Sequence, residues 1–194
     1  MKSSVLAAAC LSVVFLALGC TRSAYVNLDE PDVLGGTGID SQDVRTVAQE
    51  MSRDLLRADA IAQAEEKPVV ALLPVRNETR FRIDTDIMTL QMRDLLIQNA
   101  GDKITFVARD RMGEVYAERE AKRAGEVSAG AEKMVSGADY FLTGTLKPIH
   151  KSSSGKVSDY VYYSFELIDA ESSELVWAKG YDVKKVGERG VLYR

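Results

Sequence analysis

The sequence predicts an α/β (α+β) fold: a small mixed β-sheet with packed helices, built from a β-α-β unit and a C-terminal three-stranded antiparallel meander. Residues 40–62 and 85–99 repeat apolar side chains at steps of three and four, as one face of a helix does. Residues 69–75 are apolar at nearly every position, which is typical of a central strand covered on both sides. After residue 138 the period becomes two, as in strands with one buried face.

The N-terminal half of the predicted domain alternates helices with strands. Asp40 and Ser41 are residue types that favour a helix N-terminus, and Gly101 and Gly125 occupy positions suited to helix ends. In chain order we predict a helix at 40–62, a strand at 69–75, a helix at 85–99, a strand at 104–109, a helix at 110–125 and a short helix at 128–136.

The last third of the chain predicts the meander. Strands at 138–149, 160–170 and 175–185 are separated by the polar stretch HKSSSGKVSD and the turn ESSE. In the middle strand one face is apolar and is expected in the core: Val161, Tyr163, Phe165 and Leu167. Tyr160 and Tyr162 face the other way. They either pack under a helix or, if that face is uncovered, form an aromatic protein-binding surface.

The N-terminus predicts export and lipid attachment. Lys2 precedes an apolar run of about 15 residues, too short to span a membrane but typical of a signal peptide. The run ends in LALGC, which resembles a bacterial lipobox with Cys20 at the cleavage point. Both cysteines lie in the first 20 residues, so cysteine has no structural use in the domain. We predict lipidation of Cys20, and Thr21 after it indicates the outer membrane.

The predicted signal peptide and lipidation site divide the chain into three predicted parts. Residues 1–19 are a lipoprotein signal peptide, residues 20–39 are the lipidated cysteine with a flexible tether, and residues 40–194 are a single domain. The tether would reach roughly 25 Å as a coil and about 70 Å when extended. Its GGTG follows no strand and lacks the Lys-Ser/Thr of a phosphate loop, so we interpret it as linker.

Composition argues against several function classes. The net charge of −4 and the absence of a basic run make nucleic-acid binding a poor fit. The predicted domain has no cysteine and only His150, which excludes Cys–His catalysis and the usual zinc cages. A Ser-His-Asp arrangement would lack the G-x-S-x-G elbow. We therefore predict no cofactor, no metal and no catalytic residue, and interpret His150 as a surface residue.

The stretch PVRNETRFRIDTD, residues 74–86, is the densest polar segment. Asp84 and Asp86 could hold a metal, but Asp84 and Thr85 directly precede a helix and are better interpreted as its cap. Arg80, Phe81 and Arg82 suit either a docking surface, with the ring exposed, or a charged loop whose ring turns back onto the core.

Several motifs together resemble the LpoB-type penicillin-binding-protein activator lipoproteins. They span about residues 40–186 and read SQDVRTVAQEM, ALLPVRNETRFRIDTDIM, GADYFLTGTL and FELIDAESSELVWAKGYDVKK. The most specific pieces are Asn77-x-Thr79 with Ile83-Asp84-Thr85, the stretch from Gly137 to Gly144, and Leu175-Val176-Trp177.

The resemblance implies a fold like the N-terminal domain of TolB. It also implies a non-enzymatic outer-membrane lipoprotein, facing the periplasm, that docks on a class A penicillin-binding protein and stimulates peptidoglycan synthesis. Some members have long Pro-rich tethers, and this tether is short. Two alternatives stay open: another TolB-like or CsgG-like envelope scaffold or secretion component, and a hydrolase using carboxylates such as Asp84, Asp86 or Glu166.

Overall fold

The structure is a computed structural model that describes residues 25–28, 30, 36–100, 103–131 and 133–188. Residues 1–30 and 31–194 form separate units. The helices are α1 (Ser41–Leu55), α2 (Asp59–Ala62), α3 (Asp86–Asn99) and α4 (Met112–Ala124), with a 3-10 turn at Arg109–Arg111. The strands are β1 (Val69–Leu72), β2 (Arg76–Asn77), β3 (Thr105–Val107), β4 (Tyr140–Ser153), β5 (Lys156–Asp169) and β6 (Leu175–Glu188). Within the described part of the chain, no helix has the length and apolarity to cross a membrane.

The predicted mixed sheet is confirmed. Its strand order is β3-β1-β4-β5-β6, and β2 adds a short pairing to β4. β1 runs parallel to both β3 and β4, so β1, α3 and β3 form the predicted β-α-β unit. β4, β5 and β6 are antiparallel and form the predicted meander.

One face of the sheet carries the core. α1 and α3 contribute apolar side chains at helical spacing, and the middle strand contributes every second residue, as predicted. The largest fully buried side chains include Met51, Leu55, Met88, Met92, Leu96, Leu142, Leu146, Tyr163, Phe165 and Leu167. Burial of apolar side chains of this size stabilises a fold by about 1.5–3 kcal/mol each.

Trp177 joins β6 to α1. Its ring is buried, and its indole N–H donates to Oδ1 of Asp54 at 2.9 Å. Lys179 reaches the other oxygen of the same carboxylate at 3.0 Å. The indole hydrogen bond, followed by the Lys179 ammonium, outweighs the effect of burial and lowers the pKa of Asp54 below 3.8. The tryptophan of the Leu-Val-Trp motif is therefore a framework residue.

The first predicted helix divides into two. α1 begins as expected, with a capping box in which Asp40 and Asp43 accept each other's backbone N–H at 2.9 and 3.0 Å. It ends at Leu55, and the chain turns before α2. The turn brings Ile61 into the core, which a straight helix through residue 62 would not achieve by its spacing alone.

Two other predicted elements are wrong. The described residues between 126 and 139, which exclude 132, are neither helix nor strand, so the short helix at 128–136 does not form. A helix of that length depends on packing, and Val127 and Met134 are exposed. The polar stretch at 150–159 is not a loop but the end of a long β4–β5 hairpin. Ser154 and Gly155 turn it with positive φ values of 50° and 79°, as two-residue hairpins require.

The strand predicted at 69–75 is also interrupted. β1 ends at Leu72, and Pro74, which has no backbone N–H to donate, lies between it and β2. Pairing resumes when Arg76 and Asn77 align with β4. This break starts the polar loop at 74–86 and directs it along β4.

Candidate docking surfaces

The loop at 74–86 is organised by its own side chains. Oδ1 of Asn77 accepts the backbone N–H of Thr79 at 2.9 Å and its hydroxyl at 2.7 Å. The Asn77 amide then donates to the carbonyl of Phe81 at 2.8 Å. Both residues of the Asn77-x-Thr79 motif are therefore used to close a turn, which explains why this spacing needs an Asx residue.

The Asp84-x-Asp86 pair forms the start of α3. Oδ1 of Asp84 accepts the backbone N–H of Asp86 at 3.1 Å, as predicted for a residue at a helix start. Thr85, which we expected to share the capping, instead donates its hydroxyl to the carbonyl of Val75 at 2.9 Å. Among the residues that the structure describes, no group of three or more potential ligands could hold a metal ion.

Phe81 lies between a cation and the core. Its ring is half-buried against core residues, and a Cβ atom added to Gly38 would stand 3.6 Å from it. The guanidinium of Arg80 lies over the ring, 4.9 Å from the centroid. Of the two arrangements open from sequence, the structure has the ring turned back onto the core, while Arg82 is exposed.

Asp159 gathers three distant segments. This carboxylate, only 4% exposed, lies 2.6 Å from the guanidinium of Arg80 and 2.6 Å from Nδ1 of His150. The hydroxyl of Thr37 donates to it at 2.5 Å. Burial alone would raise the pKa of Asp159, but the hydrogen bonds from Thr37, His150 and Arg80 outweigh it and hold the pKa below 3.8.

His150 is exposed at the surface, as predicted, but it also takes part in this cluster. Its ring is 38% exposed, yet it contacts a buried carboxylate. The nearby hydroxyl of Thr37 donates to the carboxylate and not to the imidazole. That order differs from a nucleophile–His–Asp triad, in which the hydroxyl meets the imidazole. The cluster is a structural junction between the loop, the hairpin and residue 37.

Lys185 on β6 is paired with Asp159 on β5 and forms a second junction beside the first. Its ammonium donates to Asp40 at 2.7 Å, to Asp43 at 2.6 Å and to the carbonyl of Gly38 at 2.9 Å. Burial would lower the pKa of Lys185, but the two carboxylates raise it overall. Residues 36–39, assigned to the tether from sequence, are thus attached to β5 and β6 through Thr37 and Gly38.

The opposite face of the meander carries exposed apolar side chains, among them Ile149 and Tyr162. Tyr160 and Tyr162 have the reverse parity to the buried residues of β5, as predicted, and Tyr162 is 38% exposed. Tyr160 stands beside Ile149 on β4 and Lys184 on β6. Tyr162 stands beside Lys147 and Asp182, and its ring lies over Gly180, where any side chain would collide with it. We call the surface formed by these side chains the outer meander face: Lys147, Ile149, Tyr160, Tyr162, Asp182 and Lys184.

Apart from the exposed Arg82, the predicted partner-binding residues separate into two groups. Arg80 and Phe81 are engaged on the core side of the sheet, because Asp159 shares the parity of Val161. Tyr160 and Tyr162 lie on the other side. Cys20 lies outside the described residues. Asp159 was missed by sequence analysis, although a carboxylate two residues before Val161, at a core-facing position, was a usable signal.

Comparisons with known proteins identify relatives. A family model described as peptidoglycan-synthase activator LpoB matches residues 43–183. No curated protein matches the chain.

The similar solved structures include the following three. The LpoB C-terminal domain from Escherichia coli has 18% identity and a TM-score of 0.44, and that from Salmonella enterica has 16% and 0.44; each match covers 73% of this chain and 98% of that chain. Lipoprotein GNA1162 from Neisseria meningitidis has 11% identity and a TM-score of 0.39, with 61% and 83% covered.

Proposed function

The chain belongs to the peptidoglycan-synthase activator family LpoB, and from this we propose that it is a non-catalytic lipoprotein that binds a class A penicillin-binding protein and stimulates peptidoglycan synthesis. The family match over residues 43–183 is the observation that carries the proposal. Activation requires the domain to bind the active state of the synthase more tightly than the inactive state, because a partner shifts an equilibrium only by its difference in affinity.

We further propose that the synthase docks on the outer meander face. The helices α1 and α3 cover the other side of the sheet, whereas on this side no helix of the described part of the chain covers Tyr160 and Tyr162. Aromatic side chains at the centre of a patch with a polar rim are the usual anchors of a protein interface. Here the rim is supplied by Lys147, Asp182 and Lys184.

Tyr162→Ala and Tyr160→Ala are each expected to weaken binding of the synthase about tenfold or more and to reduce stimulation of glycan polymerisation in parallel. Gly180→Ala is expected to act in the same direction, because its methyl group would displace the ring of Tyr162. Tyr116→Ala is the matched control, since Tyr116 is 57% exposed but lies on α4.

The measurements are surface-immobilised binding and a polymerisation assay with purified synthase. If the wild-type protein neither binds nor stimulates any class A synthase, the activator function is wrong. If it stimulates normally and the tyrosine variants do so too, the docking face is elsewhere.

The anchor is proposed to be acyl chains on Cys20 in the outer membrane. Several chains on one cysteine bind a membrane durably, whereas a single chain binds only marginally. Cys20→Ala is expected to move the protein from the outer-membrane fraction to the soluble periplasmic fraction or to leave it as unprocessed precursor. Immunoblotting of separated membranes checks this, with Cys10→Ala as the matched control. Unchanged outer-membrane association of the Cys20 variant would contradict the anchor.

A further inference from the structure

The outer meander face continues past Tyr160 to the tip of the β4–β5 hairpin. Lys151, Ser158 and Val186 lie side by side on β4, β5 and β6, two residues beyond the row that contains Tyr160. A step of two residues keeps side chains on the same side of a sheet. Together with Lys156, these three side chains line one shallow depression of about 560 Å³. We call these four residues the hairpin-tip patch.

The extended surface carries four lysines. Lys147 and Lys184 belong to the outer meander face, and Lys151 and Lys156 belong to the hairpin-tip patch. Lys147 lies 3.8 Å from Glu78. Among the described residues, no carboxylate forms an ion pair with any of the other three lysines. Their side chains are exposed, so their charges act on whatever approaches this side of the sheet.

Two carboxylates stand among these lysines. Asp182 lies beside Tyr162 in the pairing of β5 with β6, and Glu188 lies beside Lys156. Burial and then the nearby charge of Asp182 raise the pKa of Tyr160, whose hydroxyl also bonds this carboxylate. The three unpaired lysines outnumber the two carboxylates, so the surface is cationic but carries charges of both signs.

We propose that the synthase docks here through an acidic surface, with its carboxylates on Lys151, Lys156 and Lys184 and its apolar groups on the tyrosines. This inference rests on the proposed docking of a class A synthase on the outer meander face, and it adds the chemistry that the partner presents. Cations around an aromatic centre attract an acidic partner over several ångströms before contact. They therefore raise the association rate constant more than they lower the dissociation rate constant.

Two other occupants fit this surface less well. A second copy of the chain would bring its own lysines against these, and like charges repel each other. An anionic membrane would attract the lysines but repel Asp182 and Glu188. The ring of Tyr162 lies over Gly180, so it does not project outward as an aromatic anchor in lipid would. A folded partner can place cations opposite the two carboxylates, which a lipid surface cannot do.

Binding kinetics at two salt concentrations test the steering. Full-length lipidated protein in dodecyl maltoside micelles is passed over an immobilised class A synthase. Raising the salt from about 0.1 M to about 1 M shortens the Debye length from about 10 Å to about 3 Å. We expect the association rate constant to fall about tenfold or more and the dissociation rate constant to change little.

The outcome separates this inference from the activator function. If the protein binds and stimulates the synthase but its association rate constant is independent of salt, the acidic partner surface is wrong and the activator function stands. If the protein binds no class A synthase at either salt concentration, both are wrong.

Charge variants locate the effect on this surface. Lys151→Glu with Lys184→Glu should lower the association rate constant about tenfold or more at about 0.1 M salt and remove most of its salt dependence. Lys151→Arg with Lys184→Arg keeps both charges and should retain the wild-type rate. The matched control is Lys103→Glu with Lys133→Glu, an equal change in net charge at exposed positions beside β3, the opposite edge of the sheet. Equal slowing by both glutamate pairs would overturn the proposal.

Mixed micelles distinguish a protein partner from lipid. The kinetics are repeated with phosphatidylglycerol, which is anionic, or phosphatidylethanolamine, which is zwitterionic, added to the micelles. We expect the same association rate constant with either lipid. If phosphatidylglycerol slows the wild type but not Lys151→Glu with Lys184→Glu, the surface is occupied by lipid and the proposal is wrong. Circular dichroism confirms that each variant is folded.

Discussion

Gly144→Ala is expected to destabilise the domain by about 3 kcal/mol, at the upper end of what one extra methyl group costs in a packed core. Gly144 lies in β4 directly opposite Phe165. A Cβ atom there would stand 2.7 Å from the carbonyl oxygen of Ser164 and 2.8 Å from the ring of Phe165. Neither group can move away easily, because the first belongs to the backbone of β5 and the second is fully buried. The glycine of the GADYFLTGTL motif is therefore required by packing.

The same substitution at Gly113 is expected to have the opposite sign. Gly113 is exposed near the start of α4, and a Cβ atom there would meet nothing within 4 Å. Alanine loses less backbone entropy than glycine on forming a helix, so Gly113→Ala should stabilise by about 0.5 kcal/mol. Urea unfolding followed by circular dichroism measures both changes. Gly144→Ala unfolding within 0.5 kcal/mol of wild type, a margin of about the usual surface effect, would show that the β4–β5 pairing yields more readily than the geometry implies.

The parts of the fold that sequence predicted are those with a strong periodic pattern. In β5 the alternation from Val161 to Leu167 fixes which side chains enter the core, because a shift of one residue would expose all of them. The same parity placed Tyr160 and Tyr162 on the opposite face. What the pattern could not say was whether a helix would cover that face, since this depends on the path of distant segments.

The hairpin tip shows where periodicity stops being informative. Residues 150–159 are polar except for Val157, so their sequence resembles a loop although they pair in register with each other. The pairing is set by the two-residue turn at Ser154 and Gly155 and by extension from the well-patterned strands. The burial of Asp159 could have been inferred from its parity with Val161, but its hydrogen-bond partners could not. Its role depends on Thr37 and Arg80, which are remote in the sequence and have no local signal that links them to it.

Helix stability in α4 and in residues 128–136 illustrates a second limit. Both segments have apolar residues at helical spacing, but spacing does not supply the partner surface on which short helices depend. α4 is long enough to form, and it ends with Gly125 in the left-handed conformation, φ 75°, as predicted for a C-terminal glycine. The segment at 128–136 is shorter and contains Gly130, and its described residues, 128–131 and 133–136, are neither helix nor strand.

Asp159→Ala is expected to destabilise the domain by about 2–3 kcal/mol at pH 7. The carboxylate is buried and accepts charge-assisted hydrogen bonds, each of which contributes about 1.5–3 kcal/mol. Arg80 and His150 are 50% and 38% exposed, so water can solvate them when Asp159 is removed. The loss should therefore stay below the 3–5 kcal/mol typical of breaking a fully buried pair. The exposed Asp94, paired with Arg93, is the matched control, and Asp94→Ala should change stability by less than about 0.5 kcal/mol.

The pH dependence of this loss tests its electrostatic origin. Because the pKa of Asp159 is lower in the folded domain than its ordinary value of 3.8, the carboxylate contributes its full stabilisation above that value. The contribution is lost as the pH falls through the folded pKa, below 3.8. The difference in unfolding free energy between wild type and Asp159→Asn should thus shrink as the pH falls from about 5 through the folded pKa of Asp159. Urea unfolding across this range measures it, and taking the difference removes the parallel contributions of Asp40 and Asp54, whose pKa values are also lowered. A difference that is independent of pH down to the acid transition would mean that Asp159 acts through packing and not through its charge.

The contribution of Thr37 is tested by a double-mutant cycle, in which Thr37→Val is made in the wild type and in Asp159→Asn. The coupling free energy between the carboxylate of Asp159 and the hydroxyl of Thr37 is expected to be about 1 kcal/mol.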